Sequence, residues 1–155
     1  MKQLSAALLL FFIAGSIAVS AQKIESKPPA ASDNNSSAGD AVAREATEKL
    51  VTKYTLNADQ AKQMYTIQQR KQRNLAGIEP LKTSDRSRYL SKLESQQKGT
   101  LTSIRRTLHS KEQLALYQKT QAHIRTKRAE KRKELLLAKS SKEDIQAVLL
   151  EIYEE

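Results

Sequence analysis

Apolar residues recur three and four residues apart along most of the chain after residue 40, and this spacing is typical of amphipathic helices. Breaks in the pattern divide it into four long helices and a short last one. We expect them at about 40–55, 57–77, 84–108, 110–139 and 140–155. Pro80 is the only proline after residue 40, so the chain between Gly77 and Ser84 is expected to turn there. The pattern predicts an all-α protein.

Two of the predicted helix starts carry the same local signal. In LNADQ, Asn57 is a favourable N-cap, and the Gln60 side chain can return a hydrogen bond to the Asn57 amide as in a capping box. In HSKEQ, Ser110 and Gln113 hold the same two positions 53 residues later, and Glu112 lies at the positive end of the helix. Each signal predicts a new helix after a break.

The other helix boundaries follow from similar signals. Asp40 can cap the first helix, which is expected to end near Thr55, and Leu56 lies in the staple position before the second helix. For the last helix two caps are open, Ser140 with Glu143 or Ser141 with Asp144. Its apolar stripe is nearly regular: Ile145, Val148, Leu149 and Ile152. We expect this helix either to fold back on the basic fourth helix or to dock on a second subunit.

The apolar stripes of the longer helices are narrow and interrupted. In the second helix Gln68 and Lys71 follow Met64 and Ile67 before Leu75 resumes the stripe. Such stripes bury little area for a globular bundle of this length. We therefore expect a thin, extended helical hairpin or cradle of four to five helices that dimerises. The alternative is a loose monomeric bundle with solvated arms.

The first 21 residues have the layout of a cleaved signal peptide. Lys2 precedes a continuous apolar run, which small residues end at Val19, Ser20 and Ala21. The run is shorter than the ~20 residues that a spanning helix needs. We expect residues 1–21 to be removed on export. Residues 22–39 are rich in small polar residues and proline and are expected to form a disordered linker before a helical domain at 40–139.

Composition narrows the class further. The chain has 27 Lys and Arg against 17 Asp and Glu, a formal net charge of +10, and no Cys or Trp. Without cysteine an exported protein depends for stability on helix packing or association. Nucleic-acid binding would fit the charge, but export and the scarcity of aromatic stacking residues argue against it. Binding to an anionic membrane surface fits better.

Enzymatic and metal chemistry have little support in the sequence. A thiol nucleophile is impossible without cysteine, and there is no strand-turn-helix setting for a histidine-centred triad. A histidine metal site would need His109 and His123 to converge with a carboxylate such as Glu112, or to pair across a dimer. We expect no enzyme activity, no cofactor and no resident metal.

Basic residues next to aliphatic ones predict a binding surface. The run from Lys119 to Lys133 contains seven cations and Glu130 as its one acid. It can attract acidic chains at long range or be a solvated face. Arg70, Lys71 and Arg73 share a helix with the apolar residues Met64 and Ile67 and form a mixed patch.

The repeated motif, together with export, basic charge and absence of cysteine, resembles the Spy and CpxP group of periplasmic proteins, whose hallmark is a repeated LTxxQ motif. The resemblance covers about residues 45–130. Asn57 replaces the motif's Thr, and His109 stands where the second copy's Leu belongs, with Leu108 one place early. The resemblance implies a periplasmic, dimeric helical cradle that binds unfolded envelope proteins without ATP. Others of the group regulate an envelope-stress sensor.

These expectations define a candidate function and its residues. The function is a periplasmic ATP-independent holdase whose partners are unfolded or acidic envelope proteins and a second copy of the chain. The alternatives are a regulator of a stress sensor and a protein of the anionic membrane surface. The candidate client-binding residues are Met64, Ile67, Tyr117 and Ile124 for apolar segments, with Arg70, Lys71, Arg73, Arg125 and Arg128 for acidic ones.

Overall fold

The computed structural model describes the backbone of residues 33–155 and the side chains of residues 38–155. The predicted signal peptide, 1–21, and the first part of the predicted linker, 22–32, lie outside the described residues. The described part contains six helices and no strand, which confirms the all-α class. The helices are α1 (Asp33–Tyr54), α2 (Ala58–Ile78), α3 (Leu81–Ser84), α4 (Arg86–Thr107), α5 (Lys111–Leu137) and α6 (Lys142–Glu151).

Helix α1 begins at Asp33 and not at Asp40, so the prediction that residues 33–39 belong to the linker is wrong. Residues of the Asp, Asn and Ser type are acceptable in a first turn, and a nucleated helix extends at low cost. Asp40 lies inside the helix and clamps it to α2. Its carboxylate accepts hydrogen bonds from the Tyr65 hydroxyl, Gln69 Nε2 at 2.9 Å and Arg44 Nε at 3.0 Å.

Both predicted capping boxes are present. At the start of α2, the backbone N–H of Gln60 donates to Asn57 Oδ1 at 2.9 Å, and the backbone N–H of Asn57 donates to Gln60 Oε1 at 3.1 Å. At the start of α5, Gln113 N donates to Ser110 Oγ at 3.1 Å, and Ser110 N donates to Gln113 Oε1 at 3.2 Å. The two helix starts therefore have the same local geometry.

The two glutamines also bond to each other. Gln60 Nε2 donates to Gln113 Oε1 at 3.0 Å, and Gln113 Nε2 donates to Gln60 Oε1 at 3.1 Å. Helices α1 and α2 form one hairpin, and α4 and α5 form the other. Each side-chain amide also donates to a carbonyl at the end of the first helix of the other hairpin. Gln60 donates to the Thr107 carbonyl of α4 at 2.8 Å, and Gln113 donates to the Tyr54 carbonyl of α1 at 3.2 Å. Each partner lies 53 residues from its counterpart, so the repeated motif joins two helical hairpins through a reciprocal amide pair.

The two junctions place their aliphatic residue differently. Thr55 has a positive φ of 50°, which ends α1 and lets Leu56 N donate to the Val51 carbonyl at 3.1 Å. At the second junction Leu108 is extended and buried, whereas His109 is exposed. Leu108 and Leu56 belong to the same core cluster. An aliphatic residue one place early thus fills the core position that the Leu of the motif fills at the first junction.

The core lies where α1, α2, α4 and α5 meet at the two junctions. Its buried members come from all four helices and both connections: Leu50, Tyr54, Leu56, Met64, Ile67, Ile104, Leu108 and Tyr117. Gln68, which interrupts the stripe of α2, is itself fully buried. The interrupted stripes therefore close into a core, because polar residues at their gaps are buried with them.

The connection after α2 is more helical than predicted. α2 continues through Gly77 to Ile78, and Pro80 precedes the short helix α3. Asp85, and not Ser84, caps α4, since its Oδ1 accepts a hydrogen bond from Arg88 N at 3.0 Å. A proline is compatible with the position before the first turn of a helix, so the predicted turn is reduced to two residues.

Helix α6 folds back onto the same chain, where it packs on α4 and α5. Ser141 is its cap and accepts a hydrogen bond from Asp144 N at 3.1 Å, which decides between the two predicted caps. Ile145, Leu149 and Leu150 are buried, while the other stripe residues are partly exposed. This arrangement positions a groove between α4, α5 and α6.

Candidate functional site

A surface groove of about 530 Å³, here called the basic groove, lies between α4, α5 and α6. Four cations stand around it: Arg125, Arg128, Arg132 and Lys142. Four apolar residues also line it: Ala129, which is exposed, and Ile145, Leu149 and Leu150, which are 6–7% exposed. The groove therefore combines positive charge with apolar surface.

The helical spacing of α5 explains why its arginines converge. Arg125, Arg128 and Arg132 are three and four residues apart, so they share one face. Lys119 and Lys133 are fourteen residues apart and share a different face, away from the groove-lining residues. The predicted basic run is thus divided between the groove and open solvent.

The charge of the basic groove is largely uncompensated. Its one lining carboxylate, Glu94, bonds to Lys98 Nζ at 2.7 Å, and this hydrogen bond lowers the pKa of Glu94. Among residues 38–155, no carboxylate forms an ion pair with the four cations. Arg128 is held in place, because its Nε donates to the Ile152 carbonyl at 2.8 Å. The groove attracts negatively charged groups as a result.

A second basic surface lies between α2 and α4 in a polar depression of about 620 Å³. Arg70, Arg73 and Lys92 line it, and Arg70 donates to Ser103 Oγ at 2.8 Å. Arg73 also lines an apolar groove of about 610 Å³ between α1 and α2, next to Val42. The structure thus brings together on the surface two of the five residues of the predicted mixed patch, Arg70 and Arg73.

The four apolar client-binding candidates are in the wrong place for that role. Met64 is 0% exposed, and Ile67, Tyr117 and Ile124 are no more than 9% exposed. None of them lines a groove described above. Met64, Ile67 and Tyr117 belong to the core cluster at the junctions, and Ile124 is buried elsewhere on α5, so the prediction that they contact clients is wrong.

Lys71 is also committed to contacts within the chain. Its Nζ lies 2.6 Å from Glu155 Oε1, and only 18% of its side chain is exposed. Lys71 is therefore not free in this structure, because Glu155 of the same chain occupies it. Arg128 is partly committed in the same way, whereas Arg125 is exposed at the groove.

Residues missed by sequence reasoning form most of the basic groove. Arg132 and Lys142 were not selected as candidates, and the stripe of α6 was assigned to packing alone. The regular stripe of α6 was the available signal, since a helix that folds back brings its flanking cation, Lys142, near the basic helix. No local sequence pattern predicts where α6 packs against α5, because this depends on tertiary contacts.

Two other kinds of site can be assessed for the described part of the chain. Between residues 33 and 155 no group of three or more His, Asp or Glu side chains is arranged to hold a metal ion. His109 and His123 are both exposed. None of the helices in this part is both long enough and apolar enough to span a bilayer.

Comparison of the chain with protein-family models, with curated proteins and with solved structures found no match.

Proposed function

We propose that this protein is a periplasmic holdase that binds unfolded or acidic envelope proteins without ATP. The observation that carries the proposal is the basic groove, where four cations and several apolar residues line one surface, on a chain whose first 21 residues predict export. Unfolded polypeptides present both carboxylates and apolar side chains, so a surface of this composition matches them. The Spy and CpxP resemblance of the two motifs supports the same function.

The mechanism has a long-range and a short-range part. Uncompensated cations raise the local concentration of acidic segments and speed their encounter. Short contacts then form with the exposed Ala129 and with the aliphatic stems of Arg125 and Arg132. Each contact is weak, and the depression around Arg70 and Arg73 supplies a second set. Many weak contacts allow a client to be held and released without an energy source.

The test compares two double variants that change net charge equally. Arg125→Glu with Arg132→Glu reverses charge in the basic groove, whereas Lys119→Glu with Lys133→Glu reverses it on another face of the same helix. We expect the first variant to suppress aggregation of a denatured acidic client at least threefold less effectively than the wild type, and the second to behave as the wild type. An equal loss of aggregation suppression in both variants would show that net charge alone is the cause, and would contradict the assignment to the basic groove.

A specific observation favours a second candidate, binding to an anionic membrane surface. Leu136 and Leu137 are 59% and 77% exposed at the end of α5, next to Lys133 and Lys139. Exposed leucines beside lysines suit the interface of an anionic bilayer. Co-sedimentation with vesicles containing phosphatidylglycerol, for the wild type and for Leu136→Ser with Leu137→Ser, tests this candidate.

The expected homodimer is proposed to form through the same exposed leucines, Leu136 and Leu137. Sedimentation of the same double variant separates the dimer from the membrane contact, because loss of a dimer contact lowers the mass of the protein in the absence of lipid. A membrane contact changes only binding to vesicles.

A further inference from the structure

The segment Ile152 to Glu155, here called the tail segment, lies in a cleft between α1, α2 and α5. Glu154 Oε1 lies 2.7 Å from Lys53 Nζ of α1, and Glu155 Oε1 lies 2.6 Å from Lys71 Nζ of α2. The Glu155 side chain is only 9% exposed. The cleft therefore receives two carboxylates at two lysines, one of them in a nearly buried pair.

The cleft also recognises the main chain of the tail segment. Arg128 Nε donates to the Ile152 carbonyl at 2.8 Å, and Gln121 Nε2 donates to the Glu154 carbonyl at 3.2 Å. Both donors belong to α5. The two carbonyls lie beyond the end of α6, so no helical hydrogen bond satisfies them. Side-chain donors that bind main-chain carbonyls hold an extended segment whatever its sequence, as peptide-binding clefts do.

The cleft also receives an aromatic ring, that of Tyr153, directly before the two glutamates. Tyr153 is largely covered, and this burial raises the pKa of its phenol. Lys71 Nζ lies 5.3 Å from the ring centroid, which is within cation-π range. The cleft thus has defined places for an aromatic ring and for the two carboxylates that follow it.

One buried group in the cleft has unused bonding capacity. Gln68 is 0% exposed, and its Nε2 donates to Glu155 Oε2. Its Oε1 accepts no hydrogen bond from any residue that the structure describes. A buried acceptor without a donor costs free energy. A ligand that carried a donor at this point would satisfy Gln68 better than the tail segment does.

We propose that this cleft is a binding site for acidic peptide segments that contain an aromatic residue, and that the tail segment occupies it in cis. Exchange is feasible because, apart from the covered Tyr153 ring, the tail segment is held by ion pairs and single hydrogen bonds. Helix α6 is anchored separately by Ile145, Leu149 and Leu150, so the tail segment can leave while α6 stays docked. The cleft shares Arg128 with the basic groove, but its proposed role does not depend on the holdase function.

The test measures binding of a fluorescent peptide, LEIYEE, to the full chain by anisotropy. Glu154→Gln with Glu155→Gln weakens the tail segment's hold, and Glu130→Gln with Glu151→Gln is the matched control, because neither of those glutamates contacts the cleft. We expect the first variant to bind the peptide at least tenfold more tightly than the wild type and the control variant. Adding Lys53→Met and Lys71→Met should abolish that binding.

Two results would overturn the proposal. One is equal peptide affinity in the wild type and the weakened variant. The other is affinity that survives the loss of both lysines. Hydrogen exchange on the unaltered chain gives an independent check that needs no variant. Excess LEIYEE should speed exchange at least threefold at the Tyr153 amide, which donates to the Glu151 carbonyl at 2.9 Å, and leave α6 unchanged. Unchanged exchange at Tyr153 would show that the tail segment is a permanent part of the fold.

Discussion

The reciprocal amide pair makes a sharp prediction about stability. Gln60→Ala removes the side-chain half of a capping box and leaves the Thr107 carbonyl, which lies in a buried contact, without its donor. The lost hydrogen bond from Asn57 N costs about 1 kcal/mol, whereas the Asn57 cap on Gln60 N remains. The unpaired buried carbonyl adds about 1 to 2 kcal/mol. Gln60 is 5% exposed, so water cannot easily replace the lost contacts.

Gln113→Ala removes the symmetric contacts, including the bond to the Tyr54 carbonyl. Gln113 is more exposed than Gln60, so we expect a smaller loss of about 1 to 2 kcal/mol. The double variant loses the shared amide pair only once. Its destabilisation should therefore fall short of the sum of the single effects by about 1 kcal/mol, the coupling energy of the pair.

Urea unfolding of the wild type, both single variants and the double variant gives the coupling energy directly. With a slope of about 1.5 kcal/mol per molar urea, Gln60→Ala should lower the midpoint by about 1.5 M. Gln63→Ala on the exposed side of α2 is the matched control and should change stability by less than about 0.5 kcal/mol. Additive effects within about 0.3 kcal/mol would refute the reasoning, because they would show that the two motifs do not stabilise each other.

Two further predictions concern α6 and the tail segment. Leu149→Ala should lower the free energy of unfolding by about 2 to 4 kcal/mol, because it opens a cavity between α4, α5 and α6. Val42→Ala, at a half-exposed position, is the control and should lower it by less than about 1 kcal/mol. Similar losses for the two variants in urea unfolding would contradict this packing. The hydrogen bond from Lys53 lowers the pKa of Glu154 below its usual 4.5, and Lys127 and His123 also face this carboxylate. The contribution of Glu154 to the free energy of unfolding is therefore present above pH 4.5 and is lost as the pH falls through the lower pKa of the folded state. The stability difference between the wild type and Glu154→Gln should therefore shrink in acid, and a difference that persists at pH 2 would contradict this assignment.

The helix starts could be predicted from the sequence because their physics is local. Asn57 with Gln60, and Ser110 with Gln113, need only three residues of spacing to form a capping box. The same reasoning failed at Asp40, whose side chain looks like a cap but bonds to Tyr65 on another helix. A capping residue and a tertiary clamp have the same side chain, so spacing alone does not separate them.

The candidate site was predictable in composition but not in membership. The sequence indicated a basic surface with apolar neighbours, and Arg70, Arg73 and Arg125 lie on such surfaces. It could not show that Met64 and Ile124 are covered, because a stripe on one helix does not tell which neighbour covers it. The basic groove exists because α6 docks beside α5, which depends on contacts distant in sequence.

The central claim is that the basic groove captures unfolded polypeptides by charge and apolar contact together. Its most direct test is the association rate of a denatured acidic client, measured by stopped-flow fluorescence at low and moderate salt. The wild type and the Lys119→Glu, Lys133→Glu variant should associate rapidly and slow as salt rises, whereas the Arg125→Glu, Arg132→Glu variant should associate at least threefold more slowly with a weaker salt dependence. Equal rates in all three proteins, or no association at all, would contradict the claim.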